Sequence, residues 1–230
     1  YVTVNALSHI VRDANVFNEA EDIVVKGNDG RYNANGNGLR YALAHIDEDA
    51  AGVTLVLNKA QSLTDNVKVN VPLTVTGKTL TMGSYRFILM NKEAAVTMTG
   101  ITAEMVESND PALYVTVSGN TASLLQYAAR ANGEYCKTLA EAVTKLNGSG
   151  KLDVLTNVSM TDNIAVTGTM TVTGAANIEQ GGFSFVLKNK DSKLVSDAAV
   201  KAETDRAGYK IKETVANNTY TYTVVEQCVD

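Results

Sequence analysis

Tryptophan is absent from this 230-residue chain, and proline, cysteine and histidine occur twice each. Each shortage closes a line of interpretation. Cys136 and Cys228 show neither metal-like nor redox-like spacing, so a Cys-rich zinc site and a disulfide scaffold are excluded. Two unrelated thiols is the plainer reading of the pair, and a single bridge between them stays open. His9 and His45 have no Cys or Ser partner in a triad-like arrangement, and no H-x-x-x-H spacing marks zinc. The net charge is -5 with no long basic run, so the electrostatic footprint of a nucleic-acid binder is missing and nucleic acid is not expected as a partner. No apolar run approaches the roughly 20 residues of a membrane span, and no membrane insertion is expected of this chain. It begins at Tyr1 without Met and is read as a mature or excised fragment, so the lack of a signal peptide says nothing about destination.

What the chain does have is Thr and Val, which favour strands. Hydrophobic residues make up 45% and charged residues 20%, enough for a packed core and unlike a disordered chain. It also has repetition. Tyr1-Val2-Thr3-Val4 returns at Tyr114-Val115-Thr116-Val117 and, blurred, at Tyr222-Thr223-Val224-Val225. Between these marks lie two copies of a longer pattern. Leu39, Ala42, Leu43 and Ile46 recur as Leu139, Ala142, Val143 and Leu146, an offset of 100 and a helical i, i+3, i+4, i+7 spacing. Thr138 and Glu141 form a capping box for the second helix; the first has Asn37 or Gly38 as its cap. Val53–Leu57 corresponds loosely to Leu152–Leu155. Thr64-Asp65-Asn66 matches Thr161-Asp162-Asn163, and Leu73–Gly77 matches Met170–Gly174, both at an offset of 97. Phe87–Glu93 matches Phe185–Asp191 at 98. Three residues are therefore missing from the second copy after its helix and one is added later, changes expected in surface turns. The Ala103-Glu104 and Ala202-Glu203 pairs introduce the segments that follow.

The extended segments are short, at about 53–57, 67–69, 73–76, 79–82, 86–90 and 95–98, then 152–155, 164–166, 170–173, 184–187 and 193–195. Gly, Asn, Asp or Ser punctuate them, and several alternate apolar with Thr. The expected fold is mainly β: tandem short parallel β-helix or β-solenoid modules, each with a short N-terminal capping helix and a closing β-hairpin. Tandem immunoglobulin-like sandwiches are the alternative. Gly208–Lys212, Asn217-Asn218 and Thr221–Val225 predict the closing hairpin of the second copy. Leu124, Leu125, Tyr127, Ala128 and Ala131 predict a connecting helix, with Leu7, Ile10, Val11 and Ala14 as its counterpart. The expected organisation is thus 1–30 as the tail of a preceding unit plus a connecting helix, 31–120 as module one, 121–134 as a connecting helix, and 135–230 as module two.

Thr138–Val143, followed by Lys151–Leu155, Val158-x-Met160-Thr161, Ile164-x-Val166 and Met170–Gly174, resembles the repeat modules of large surface proteins from Gram-positive gut bacteria. It is also similar to the opening of pectate-lyase-like right-handed β-helices, where a capping helix precedes the first coils. The resemblance spans about 37–98 and 135–195 and bears on fold more than on function.

No catalytic, cofactor-binding or metal-binding residues are assigned. Asp65-Asn66 and Asp162-Asn163 offer one carboxylate each, too few for calcium, and Asx-turn chemistry explains them with less assumption. The acidic run Asp47-Glu48-Asp49 becomes Asn147-Gly148-Ser149 in the second copy, as solvated turns do. Lys68 and Arg86, candidate bases of a lyase, become Ala165 and Ser184. A non-enzymatic structural or adhesive module of a bacterial cell-surface repeat protein is expected, extracellular, acting as a stalk or contacting a host glycan or protein, with neighbouring repeat units as further partners. The alternatives are a carbohydrate-active β-helix enzyme fragment and a self-assembling surface-layer subunit.

Overall fold

The computed structural model describes Ile23–Gly27, Asn33–Gly36, residues 42–43 and residues 51–227. The chain divides into two compact units, Tyr1–Leu125 and Gln126–Asp230, each with its own buried apolar cluster. Both are short β-solenoids, and they share one topology.

Unit 1 opens on a hairpin, β1 (Ile23–Gly27) and β2 (Asn33–Gly36). Three coils follow. The first is β3 (Val53–Leu57), β4 (Gln61–Ser62) and β5 (Val67–Val69); the second is β6 (Pro72–Gly77), β7 (Leu80–Thr81) and β8 (Phe87–Leu89); the third is β9 (Ala95–Met98) and β10 (Val106–Ser108). Like strands of successive coils stack in parallel, and a hairpin of β11 (Leu113–Ser118) and β12 (Thr121–Gln126) closes the stack.

Unit 2 repeats this plan. Its opening hairpin is β13 (Ala129–Ala131) and β14 (Glu134–Cys136), and α1 (Leu139–Leu146) leads into the coils. Those are β15 (Gly150–Val154), β16 (Val158–Ser159) and β17 (Ile164–Val166); β18 (Thr169–Thr173), β19 (Ile178–Glu179) and β20 (Phe185–Leu187); and β21 (Lys193–Ser196) with β22 (Ala202–Glu203). The closing hairpin is β23 (Tyr209–Ala216) and β24 (Thr219–Glu226). The main sheets run β2-β1-β3-β6-β9-β12-β11 and β14-β13-β15-β18-β21-β24-β23.

Alternation builds the coils. Val53, Leu55 and Leu57 are 0%, 0% and 1% exposed while Thr54 and Val56 between them face outward, the period-two pattern of a half-buried strand. Phe87 and Phe185 occupy matching interior positions and are both fully buried. Glycine marks the corner after the second main-sheet strand for a steric reason. A Cβ on Gly77 would lie 2.2 Å from Leu57 O, and one on Gly174 2.3 Å from Val154 O, with φ of +93° and +70°. Only glycine meets both demands at once.

These contacts fix the alignment of the copies. Leu57 is equivalent to Val154, so Val53–Leu57 matches Gly150–Val154 rather than Leu152–Leu155. The three-residue deletion lies between helix and first strand. The inserted residue lies in the 3-10 turn Ala175–Asn177, where the second copy leaves its main sheet. The Ala-Glu pairs are not equivalent: Ala103–Met105 is a 3-10 turn, whereas Ala202–Glu203 is the strand β22. Tyr114–Val117 lies on the outer closing strand β11 and Tyr222–Val225 on the inner strand β24, so their likeness is generic strand alternation.

The connecting helix expected over 121–134 is not formed. Residues 121–126 are β12 and residues 129–131 and 134–136 are β13 and β14. The apolar positions satisfy a period of two as well as of four: Ala122 and Leu124 are buried on one strand, Ala129 and Ala131 on the other. Asn132-Gly133, both at positive φ, makes the two-residue turn that favours a hairpin. The matching segment at 7–14 lies outside the described residues, as do Tyr1–Val4 and most of the first copy's helix, of which residues 42–43 are helical. In α1, Glu141 N–H donates to Thr138 Oγ1 at 3.1 Å and Lys137 N–H donates to Glu141 Oε2 at 2.9 Å. The carboxylate thus reaches back one residue beyond the cap. Asn147 ends the helix at φ 46°.

Candidate functional site

The asparagines shared by the two copies are committed to holding coils together. Asn66 Oδ1 accepts Arg86 N–H at 2.9 Å, and Asn163 Oδ1 accepts Ser184 N–H at 2.9 Å, in each case from the next coil. The preceding aspartates turn the chain, since Asn66 N–H donates to Asp65 Oδ1 and Asn163 N–H to Asp162 Oδ1, both at 2.7 Å. Asn91 Nδ2 donates back to Asn70 O at 2.9 Å, and Asn189 Nδ2 to Thr167 O at 2.7 Å. The triplets thus differ from the Asx turn expected of them, which bonds the amide two residues on: each aspartate caps the adjacent amide, and each asparagine forms an inter-coil brace that spacing alone did not reveal.

The outer face of the main sheet is where the units part. In unit 1, β3, β6, β9, β12 and β11 contain no charged residue, and Lys26 of β1 stands in register with Thr54 at the opening end of the sheet. Across this face runs the row Thr54–Thr74–Thr97–Thr121, in register on four strands, and Thr97 Oγ1 and Thr121 Oγ1 share a hydrogen bond of 2.9 Å. Beside it runs the row Pro72–Ala95–Ser123.

In unit 2 the corresponding rows are Lys151–Thr171–Val195–Thr221 and Thr169–Lys193–Thr223–Lys212. Lys193 stands where unit 1 has Ala95. Ile211 packs inward against the core, so Lys210 and Lys212 on either side of it face outward with Lys193. Glu213 and Glu226, by the same alternation, fall on the opposite side of the ribbon. Lys193, Lys210 and Lys212 are exposed and make no ion pair among the described residues, whereas Lys145, Lys188 and Lys201, elsewhere on the unit, hold Glu134, Asp205 and Glu203 at 2.6, 2.6 and 3.0 Å.

At the other end of this face sits a nearly buried carboxylate. Asp153 is 5% exposed. Lys151 Nζ approaches it at 2.8 Å and Arg130 at 3.3 Å, and Thr173 Oγ1 donates to it. The Arg130 guanidinium also lies 5.7 Å from the Tyr135 ring centre, and Tyr135 packs on Tyr127 with 5.1 Å between ring centres. Burial pushes the Asp153 carboxyl up, but the Lys151 ammonium and Thr173 hydroxyl, with Arg130, outweigh it and hold the group below its ordinary value. In register, unit 1 carries Val24 and Val56 where unit 2 has Arg130 and Asp153.

The residues weighed as catalysts are dispersed. Arg86 Nε donates to Glu104 O at 2.8 Å, and Lys68 stands exposed on β5. At the position of Arg86, Ser184 is 1% exposed and donates to Glu203 Oε1 at 2.6 Å. A buried hydroxyl pointing into a carboxylate is unsuited to attack a substrate. His9, His45, Asp47-Glu48-Asp49 and Cys228 lie outside the described residues. Cys136 is a buried free thiol, raised in pKa by that burial. No group of three His, Cys, Asp or Glu side chains is placed to hold a metal among the described residues. Shallow corner recesses lie among the described residues. One of about 340 Å³ includes Lys78 and Met98; one of about 300 Å³ includes Ser159 and Glu179. Neither gathers an acid and a base.

No family model, curated protein or solved structure matches this chain.

Proposed function

We propose that the chain is a non-enzymatic module of a bacterial cell-surface repeat protein, extracellular, serving as a stalk that presents an outer face to a host glycan or protein. One observation carries this reading: the asparagines that recur in both copies are spent on inter-coil hydrogen bonds, while the outward charge differs between copies. Duplication under those conditions preserves shape. A reaction centre needs convergent groups in a recess, and the candidate bases Lys68 and Arg86 have no counterpart in unit 2.

The test is incubation of the purified chain with pectic, uronate and mucin polysaccharides, assayed for new reducing ends and unsaturated uronides. No product is expected. Sustained product formation, lost on Arg86→Ala or Lys68→Ala, would replace this reading with that of a β-helix enzyme. Antibody against the chain should label intact source cells without permeabilisation; label appearing only after lysis contradicts the surface assignment.

A further inference from the structure

We infer that the outer face of the main sheet of unit 2 binds a linear anionic polysaccharide, one bearing carboxylates or sulfates. The inference deepens the surface-contact reading above and rests on it. Charge complementarity is the argument. In a chain of net charge -5, Lys193, Lys210 and Lys212 share one face with no ion-pair partner among the described residues, although carboxylates hold four other lysines of the same unit, Lys145, Lys151, Lys188 and Lys201. Unpaired lysines concentrated on one flat face, in an otherwise acidic chain, form a local positive field suited to a polyanion.

The spacing suits an extended polymer. Lys193 and Lys212 occupy one cross-strand row with Thr223 between them, two strand steps or roughly 10 Å apart at the backbone. Lys210 extends the positive edge along β23. Thr169, Thr171, Thr221 and Thr223 surround the lysines on the same face. Their hydroxyls both donate and accept, so they can meet sugar hydroxyls between the acidic groups. Unit 1 has Pro72, Ala95 and Ser123 in the equivalent row, so this lysine-bearing row belongs to unit 2 alone. The backbone beneath the lysines is already fixed by pairing, on both sides for β21 and with β24 for the edge strand β23, which limits the ordering cost of binding to the lysine side chains.

The experiment measures binding of the full chain to polygalacturonate, heparin and neutral dextran, with duplex DNA as a further polyanion. The first two arms separate carboxylate from sulfate recognition. Binding to at least one of them, none to dextran, and weakening as salt rises are expected. Combined Lys193→Glu, Lys210→Glu and Lys212→Glu should weaken binding by about tenfold or more. The same charge change in unit 1, Lys68→Glu, Lys78→Glu and Lys92→Glu, should leave most of it. Should the first variant misfold, Lys→Gln at the same three positions serves with less repulsion. Absence of binding to both polysaccharides, equal losses in the two variants, or DNA bound as tightly as polysaccharide overturns the inference. Failure of binding without product formation leaves the scaffold reading standing, whereas product formation removes that reading itself.

Discussion

Units 1 and 2 place the same kinds of side chain inside and different kinds outside. Leu55 and Leu152, Leu73 and Met170, Phe87 and Phe185 are equivalent and buried, and the same asparagines brace the coils. The closing ends already differ. Ala122 fills the interior position of β12, and Leu113, Val115 and Val117 of β11 pack over the core. Unit 2 instead inserts Tyr222, 2% exposed, whose hydroxyl accepts Val200 N–H at 3.0 Å. Its hairpin strands are eight residues long against six. The greatest divergence is on the outer sheet face, where the row Pro72–Ala95–Ser123 of one copy is uncharged and the matching row of the other carries Lys193 and Lys212. The coil constrains inward and bracing positions in every copy, and leaves outward positions open to selection for contact.

The largest effects should come from what the units share. Phe87→Ala and Phe185→Ala each remove a fully buried ring and should cost about 3–5 kcal/mol. Hydrogen exchange should show the loss mainly in the unit that carries the change; loss spread equally through both would deny that their cores are separate. Gly77→Ala and Gly174→Ala should cost similar amounts to each other, about 2–3 kcal/mol, since each Cβ meets a carbonyl oxygen in a positive-φ conformation. Unequal denaturation midpoints for that pair would break the equivalence of the corners.

Smaller effects should come from what the units do not share. Asp153→Ala leaves Arg130 and Lys151 facing each other; as both are partly solvated, the cost should be about 1–2 kcal/mol. Combining Arg130→Val with Asp153→Val, which installs the apolar pair of unit 1, should recover most of that loss. Because the folded-state pKa of Asp153 is lowered, its contribution is present above the ordinary carboxylate range and lost as pH falls through the lowered value. Acid titration should therefore erode wild-type unit 2 more steeply than the double-valine variant, and identical acid profiles would remove the ion cluster from the account. The smallest expected effect is Thr97→Val, about 0.5 kcal/mol or less, because Val195 already occupies the matching position in unit 2. A change above about 2 kcal/mol would mean the threonine row is structural.

The coils were legible because alternation, turn residues and repetition agree locally. Gly77 and Gly174 stood in matching repeat positions, although the carbonyls they avoid lie twenty residues away. The segment 121–134 misled because Leu124, Ala128 and Ala131 fit a helical stripe; Gly119-Asn120 and Asn132-Gly133 were turn signals that could have corrected it. The alignment of the first strand slipped by two residues because period-two patterns match themselves at that shift. The lysine face was not legible, since Lys193 and Lys212 come into one cross-strand row, on either side of Thr223, only through the strand order of the closed stack. Asp153 likewise read as an ordinary strand charge until pairing placed Arg130 and Thr173 on either side of it.

Lysine acylation of the full chain with and without polygalacturonate or heparin, read residue by residue by mass spectrometry, tests most directly whether the copies differ outwardly for the sake of contact. Lys193, Lys210 and Lys212 should be protected together by at least one of the two polymers, with Lys68, Lys78 and Lys92 still reacting at their free rates. Protection spread evenly over both units, or none at these three lysines with either polymer, would contradict the account.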